Sequence, residues 1–139
     1  MEEKYYTLTG YKIKNNLVIT EAMEDYIEMI YRNTIDKEDI SVKDISTLLN
    51  VNPSSVSKMI IKLKKINIVN SQKYGHISLT AKGKKLGSFY LERHNILTQF
   101  LKTINKEKFN LEQVEKIEHF VDKVTIKNIK KNLKKDNNY

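Results

Sequence analysis

The chain has 139 residues and a formal net charge of +8, with 25 Lys and Arg against 17 Asp and Glu. It contains no Cys, which excludes disulfides and thiolate metal sites. No apolar run is long enough to span a bilayer and no signal peptide is evident, so we expect a cytoplasmic protein. The length suits one compact unit or two small ones sharing a long helix, and four Gly with one Pro indicate that helix dominates.

The charge is distributed unevenly. Eight acids lie between residues 20 and 44, whereas residues 45–91 contain eight lysines and no acid. A basic block of 47 residues is typical of a surface that faces phosphate. A lysine-rich but merely soluble chain is the alternative, and the missing acids favour the phosphate-facing surface.

Residues 1–19 show no clear hydrophobic period and are interpreted as an N-terminal arm, or equally as a loosely ordered terminus. Thr20 is a good N-cap for the first helix, whose apolar residues recur at helical spacing. On this helix Asp25 and Glu28 lie three positions apart and flank the apolar stripe. Alone, the pair would be an ordinary solvated edge.

Two short helices follow. A capping-box-like start at Ser41 predicts a helix to about Leu49. After a short turn, Asn52 is an N-cap and Pro53 suits the first position of a second helix, which runs to about Ile66. This pattern predicts a helix-turn-helix whose second helix enters the major groove of DNA. A plain helical hairpin with a polar surface is the alternative.

A hairpin comes next. Residues 68–71 and 76–79 are predicted to form two short strands, joined by a turn that contains Gly75. A helix-turn-helix followed by a hairpin is the winged arrangement, in which Lys73 and His76 could contact the adjacent groove or backbone. We interpret His76 as a surface strand residue rather than a metal ligand. Small hydroxyls and lysines make up the candidate DNA contacts: Ser54, Ser55, Ser57, Lys58, Lys62, Lys65 and Lys73.

The remainder of the chain predicts helices. Thr80 caps a long one that runs to about Ile104, Asn110 caps the next one to about Val124, and Thr125 caps the last. His94 lies within the long helix, where a lone His amid apolar neighbours is more often a core residue than a ligand.

Glu115, Glu118 and His119 form the most informative pattern. Positions i, i+3 and i+4 lie side by side on a helix, so two carboxylates and an imidazole share one small volume. An apolar core does not favour such a set, whereas a divalent metal does. The pattern therefore predicts a metal site.

Five motifs now occur together in order: TEAMEDYIE at 20–28, PSSVSKM at 53–59, LTAKG at 79–83, RHNIL at 93–97 and EKIEH at 115–119. They resemble the diphtheria-toxin-repressor family of metal-dependent transcription repressors, and most closely its manganese transport regulator branch. One departure lies in the wing, where the family usually has Arg before the Gly and this chain has Tyr74.

The resemblance implies a mainly α fold, with an N-terminal winged helix-turn-helix domain and a C-terminal helical dimerisation domain. We expect an arm at 1–19, the DNA-binding domain at 20–88 and the metal-binding and dimerisation domain at 89–139. It further implies a homodimer that binds a palindromic double-stranded DNA operator and represses metal-uptake genes.

The resemblance also implies two neighbouring metal ions held by six side chains, at positions that match Asp25, Glu28, His94, Glu115, Glu118 and His119. Iron-responsive members have a thioether and a thiol at the positions of Asp25 and Glu115. Carboxylates with imidazole suit Mn²⁺ and tolerate Fe²⁺, so we expect two Mn²⁺ per subunit, with Fe²⁺ as the alternative.

Two other functions fit parts of the pattern. Dinuclear carboxylate sites also hydrolyse phosphate esters, but no separate base, nucleophile or Gly-rich phosphate loop stands out, so we expect no enzyme. A winged-helix regulator that responds to an organic ligand or a protein partner instead of a metal is the second alternative.

Overall fold

The computed structural model describes residues 7–8, 19–72 and 75–136. Most of the expected N-terminal arm and the wing residue Lys73 lie outside this part of the chain. The described helices and strands, in chain order, are α1 Glu21–Asn33, β1 Ile40–Ser41, α2 Val42–Leu49, α3 Pro53–Lys65, β2 Val69–Ser71, β3 His76–Leu79, α4 Ala81–Asn105, α5 Leu111–Ile117 and α6 Lys123–Asp136, with 3-10 helices at Lys106–Lys108 and Glu118–Phe120. The mainly α fold is confirmed.

The helices begin where side-chain caps hold the first turn. Thr20 Oγ1 accepts from the backbone N–H of Met23 at 3.2 Å and so caps α1. The same arrangement, with the cap accepting from the N–H two or three positions on, recurs at Ser41, Asn52, Thr80 and Asn110. Each of these caps was predicted from the sequence.

The first core joins the helix-turn-helix to the hairpin. α2 packs against α1 and β1, and α3 packs against α2 and β2 of a three-stranded antiparallel sheet of order β1-β3-β2. Ile27, Ile30, Ile45 and Leu63 are fully buried in it. The turn between α2 and α3 passes through Asn50 at φ 54°, a left-handed conformation that Asn tolerates. The predicted winged arrangement is therefore present.

A second core lies beyond Tyr90 on α4. It is formed by Ile96, Leu97 and Leu101 of α4 with Val114 of α5 and, on α6, Ile126 and Leu133. Because α4 contributes to both cores, it connects the winged region to the C-terminal helices. No helix in the described part of the chain combines the length and apolarity needed to cross a membrane.

The prediction of one helix from 111 to 124, followed by a helix capped by Thr125, is wrong. α5 ends at Ile117, a 3-10 helix follows, and Val121 is extended at φ −100° and ψ 123°. The cap of α6 is Asp122, whose Oδ1 accepts from the backbone N–H of Thr125 at 2.8 Å. A short acidic side chain competes well for backbone donors and so starts a new helix there.

Two glycines let α4 approach its neighbours closely. A Cβ added at Gly87 would lie 2.5 Å from Cβ of Tyr31 on α1, and one added at Gly83 would lie 2.3 Å from the carbonyl oxygen of Ile68. Only Gly allows this separation. The contact of α4 with α1 then determines how the acidic residues of α1 face His94.

Candidate metal centre

The six predicted ligands come from three parts of the fold. Asp25 and Glu28 lie on α1, and His94 lies on α4. Glu115 lies on α5, whereas Glu118 and His119 lie in the 3-10 helix that follows it. This tighter turn replaces the continuous helix of the sequence prediction, yet it keeps both residues directed at α1 and α4, as the following contacts show.

Asp25, Glu118 and His119 form the first ligand triad. One donor atom from each lies within 4.8 Å of the others. His119 Nε2 is 3.1 Å from Asp25 Oδ1. The Asp25 side chain is about half exposed, so this triad opens toward solvent.

Glu28, His94 and Glu118 form the second ligand triad, and all three residues are buried. His94 Nδ1 lies 2.8 Å from Glu118 Oε2. Glu28 also pairs with Arg32 at 2.7 Å, one helical turn further on. Glu118 belongs to both triads, and a carboxylate with two oxygens is suited to bridging two neighbouring cations.

Glu115 lies in neither triad. Its Oε1 is 3.4 Å from His94 Nδ1, and its side chain is 51% exposed. The structure thus brings five of the six candidates into two overlapping triads and leaves Glu115 at the rim of the second.

The acids of this site are costly to ionise together. Burial raises the pKa of Asp25, Glu28 and Glu115, and the carboxylate of Glu118 adds to the rise at each of them. The hydrogen bond to Glu118 raises the pKa of His94, because it favours the imidazolium. The site therefore favours added positive charge, whether from a protonated His94 or from a bound cation.

The donor set fits hard divalent cations. Carboxylate oxygens and imidazole nitrogens suit Mn²⁺ and Fe²⁺ and provide no soft sulfur ligand. Glu118 is 1% exposed, and no Lys or Arg within residues 19–72 and 75–136 forms an ion pair with it. Glu118 pairs with the His94 imidazole, and a cation held by Glu118 would add to the charge compensation of this buried carboxylate.

Sequence reasoning missed two residues beside this site. Glu24 Oε1 is 2.8 Å from His119 Nδ1 and accepts from Arg93 Nη2 at 3.1 Å. Both lie next to predicted ligands in the motifs, Glu24 before Asp25 and Arg93 before His94. Consecutive residues on a helix diverge, so periodicity assigned these two no role at the site.

The outer face of α3 is the candidate DNA surface. The described candidates, Ser54, Ser55, Ser57, Lys58, Lys62 and Lys65, are all exposed. Ser54 Oγ donates to the cap residue Asn52 at 2.7 Å, which leaves the hydroxyl at the beginning of the helix. His76 lies on the strand surface, 3.2 Å from Asp39 Oδ1, in agreement with its interpretation as a surface strand residue.

Comparisons with known proteins cover nearly all of this fold. Residues 18–77 match the family described as iron dependent repressor, N-terminal DNA binding domain. Residues 80–137 match the description iron dependent repressor, metal binding and dimerisation domain. The HTH-type transcriptional regulator MntR of Geobacillus thermodenitrificans (strain NG80-2) is 46% identical over 101 residues, which are 72% of each chain.

Two solved structures resemble this chain over four fifths of its length. The manganese regulator SloR is 29% identical with a TM-score of 0.65, over 80% of this chain and 53% of that one. ScaR, solved with bound Zn²⁺, is 26% identical with a TM-score of 0.66 over the same shares. The present chain therefore spans about half the length of these solved chains.

Proposed function

Because this chain belongs to the iron-dependent repressor family, we propose that it is a transcription repressor that binds its operator when Mn²⁺ fills the candidate metal centre. The observation that carries the proposal is the convergence of α1, α4 and the 3-10 helix on Glu118. Residues of the DNA-binding region and residues of the C-terminal region meet there. A cation bound at this junction would affect how the two regions are held together.

The DNA-binding part of the proposal rests on α3. Its exposed hydroxyls at the N-terminal end are small enough to approach base edges, while Lys58, Lys62 and Lys65 contact phosphate. A homodimer would present two such helices to a palindromic operator, with half-sites about 34–36 Å apart or a multiple of that distance.

The metal part rests on the two triads. Asp25, Glu118 and His119 would hold one cation, and Glu28, His94 and Glu118 would hold the second, with Glu115 at its rim. Bound divalent cations supply the positive charge that these carboxylates lack. Mn²⁺ is favoured by the oxygen-rich donor set, and the similar protein SloR is described as a manganese regulator. Fe²⁺ is the second candidate.

The mechanism follows from where the ligands lie. Asp25 and Glu28 belong to α1, which packs in the first core, whereas Glu118 and His119 belong to the C-terminal region. With the carboxylates uncompensated, their mutual repulsion opposes close docking of α1 on the 3-10 helix. With the charge compensated, Asp25 and Glu28 hold α1 against the dimerisation region and so restrict where α3 lies relative to its dimer mate.

The coupling required is modest. A dimer whose two α3 helices vary in separation loses specific affinity for the operator. A dimer that holds them at the half-site spacing gains affinity. About 1–3 kcal/mol between metal binding and DNA binding suffices for such a switch. The expected targets are metal-uptake genes, whose repression at high Mn²⁺ closes a feedback loop in the cytoplasm.

An operator-binding titration tests the proposal. Duplexes selected from random DNA by the Mn²⁺-loaded protein would be labelled and titrated with protein in Mn²⁺, in Fe²⁺ under anaerobic conditions, in Zn²⁺ and in chelator. We expect tight binding in Mn²⁺ and at least about fivefold weaker binding in chelator, from the coupling above. Equal affinity in all four conditions would instead identify a metal-independent winged-helix regulator.

A further inference from the structure

Glu24 holds His119 without belonging to either ligand triad. Glu24 Oε1 lies 2.8 Å from Nδ1 of His119. The other ring nitrogen of His119, Nε2, lies 3.1 Å from Asp25 Oδ1. The two nitrogens of His119 therefore face different acids on α1. Only Nε2 faces the ligand triad.

Glu24 is itself held in place. The same Oε1 accepts from Arg93 Nη2 at 3.1 Å. Arg93 is 2% exposed, and its guanidinium lies 4.9 Å from the ring centroid of Tyr90 and 5.7 Å from that of Phe89. An ion pair whose guanidinium is buried against two aromatic rings leaves Glu24 little freedom to move.

An imidazole that binds a metal through one nitrogen carries a proton on the other, and an acceptor at that proton fixes the tautomer and the ring orientation. We propose that Glu24, anchored by Arg93, is a positioning residue that keeps the proton of His119 on Nδ1 and directs the Nε2 lone pair into the first triad. This inference rests on the proposed metal centre and adds to it a residue that touches no metal.

Nuclear magnetic resonance of ¹⁵N-histidine-labelled full-length protein, loaded with Zn²⁺ as a diamagnetic probe, tests the role directly. In the native protein we expect His119 to bind zinc through Nε2 and to carry a proton on Nδ1. In Glu24→Leu, which removes the acceptor, we expect both tautomers of His119 and a zinc affinity lower by about 10–100-fold. Glu38→Leu makes the same substitution at an exposed loop acid and should change neither property.

Glu24→Gln is the conservative variant, because its amide oxygen can still accept from His119 and Arg93. We expect it to keep the Nδ1–H tautomer and an affinity within about tenfold of native, while the His119 Nδ1–H proton resonance shifts because the acceptor is no longer charged. This resonance decides the question even if Glu24→Leu does not fold.

Three results would overturn the inference. They are coordination of zinc through His119 Nδ1 in the native protein, an unshifted Nδ1–H resonance in Glu24→Gln, and a folded Glu24→Leu with native tautomer and affinity. Failure of the native protein to bind zinc at all would overturn the metal centre itself and the role of Glu24 with it.

Discussion

Glu118 Oε2 lies 2.8 Å from His94 Nδ1, although 24 positions separate the two residues in the chain. The contact joins α4 to the 3-10 helix that follows α5. Glu118 is only 1% exposed. Since Glu118 is also the residue that the two triads share, this one buried side chain links the three elements that contribute to the triads.

Glu118→Ala should abolish metal-activated DNA binding. Loss of the shared carboxylate removes a ligand from both triads, so we expect the Mn²⁺ affinity to fall by more than about 100-fold, beyond the usual effect of losing a supporting group. The dimer should remain folded, as size-exclusion chromatography and circular dichroism would reveal. Glu112→Ala, at an exposed acid of α5, is the control and should respond to Mn²⁺ normally. A Glu118→Ala protein with the native Mn²⁺ response would show that the site lies elsewhere.

Asp25→Met should shift the response from Mn²⁺ toward Fe²⁺. The substitution replaces a hard oxygen donor by a thioether, which favours later and softer metals. The measurement is the ratio of the Mn²⁺ and Fe²⁺ concentrations that give half-maximal operator binding under anaerobic conditions. An unchanged ratio would contradict the argument that the ligand at this position contributes to metal selectivity.

Gly87→Ala should separate α1 from α4. The new methyl group would lie 2.5 Å from Cβ of Tyr31, so one helix has to move. We expect the free energy of unfolding to fall by about 1–3 kcal/mol, as is usual for overpacking, and Mn²⁺-activated DNA binding to weaken because Asp25 and Glu28 move with α1. Denaturant unfolding and operator titration measure the two effects. Ser88→Ala, at the adjacent exposed position, should leave both unchanged.

Asp122→Ala should destabilise the metal-free protein at neutral pH but not in acid. Hydrogen bonds from the side chain and backbone of Thr125 lower the pKa of Asp122 below its ordinary value of 3.8. A depressed pKa means that the carboxylate stabilises the fold above that value and loses this effect as the pH falls through the folded-state pKa. The difference in melting temperature between native and variant proteins should therefore be largest near about pH 6 and shrink toward about pH 3. A difference in melting temperature that stays constant across this pH range would exclude the ionised Asp122 side chain as the source of the stabilisation.

Lys58→Ala should weaken operator binding and flatten its salt dependence. If Lys58 neutralises one phosphate, the slope of log affinity against log salt concentration should become less negative by about 0.9. The loss should be similar for specific and nonspecific duplexes, because a phosphate contact reads no sequence. Lys127→Ala, an exposed lysine on α6, is the matched control. The same slope in the two variants would exclude Lys58 as a phosphate contact.

Much of the local structure followed from short-range patterns. The caps at Thr20, Ser41, Asn52, Thr80 and Asn110 were predictable because each depends on one side chain and a backbone N–H two or three positions away. The same approach was wrong after Ile117. There, local preference for continued helix competed with the cap at Asp122, and the cap began a new helix.

The candidate site was only partly accessible from the sequence. Spacing alone placed Asp25 beside Glu28, and Glu115 beside Glu118 and His119, since each set lies within about one helical turn. The structure keeps Glu118 and His119 in the triads and leaves Glu115 outside them. His94 has no such partner nearby in the chain and entered only through resemblance to a known family. Its contact with Glu118, by contrast, is a property of packing between α4 and the 3-10 helix.

The amino-acid sequence by itself determined the order of the helices and the hairpin up to Ile117, the residue types able to bind a hard cation and the basic face of α3, because these depend on neighbours along the chain. The tertiary structure alone decided that Glu118 is buried and shared by the two triads, and that Glu24 and Arg93 support His119. The contacting residues are separated by between 24 and 95 positions in the chain, and they lie on three different elements. Such distances depend on how closely α4 packs against α1, which no local pattern specifies.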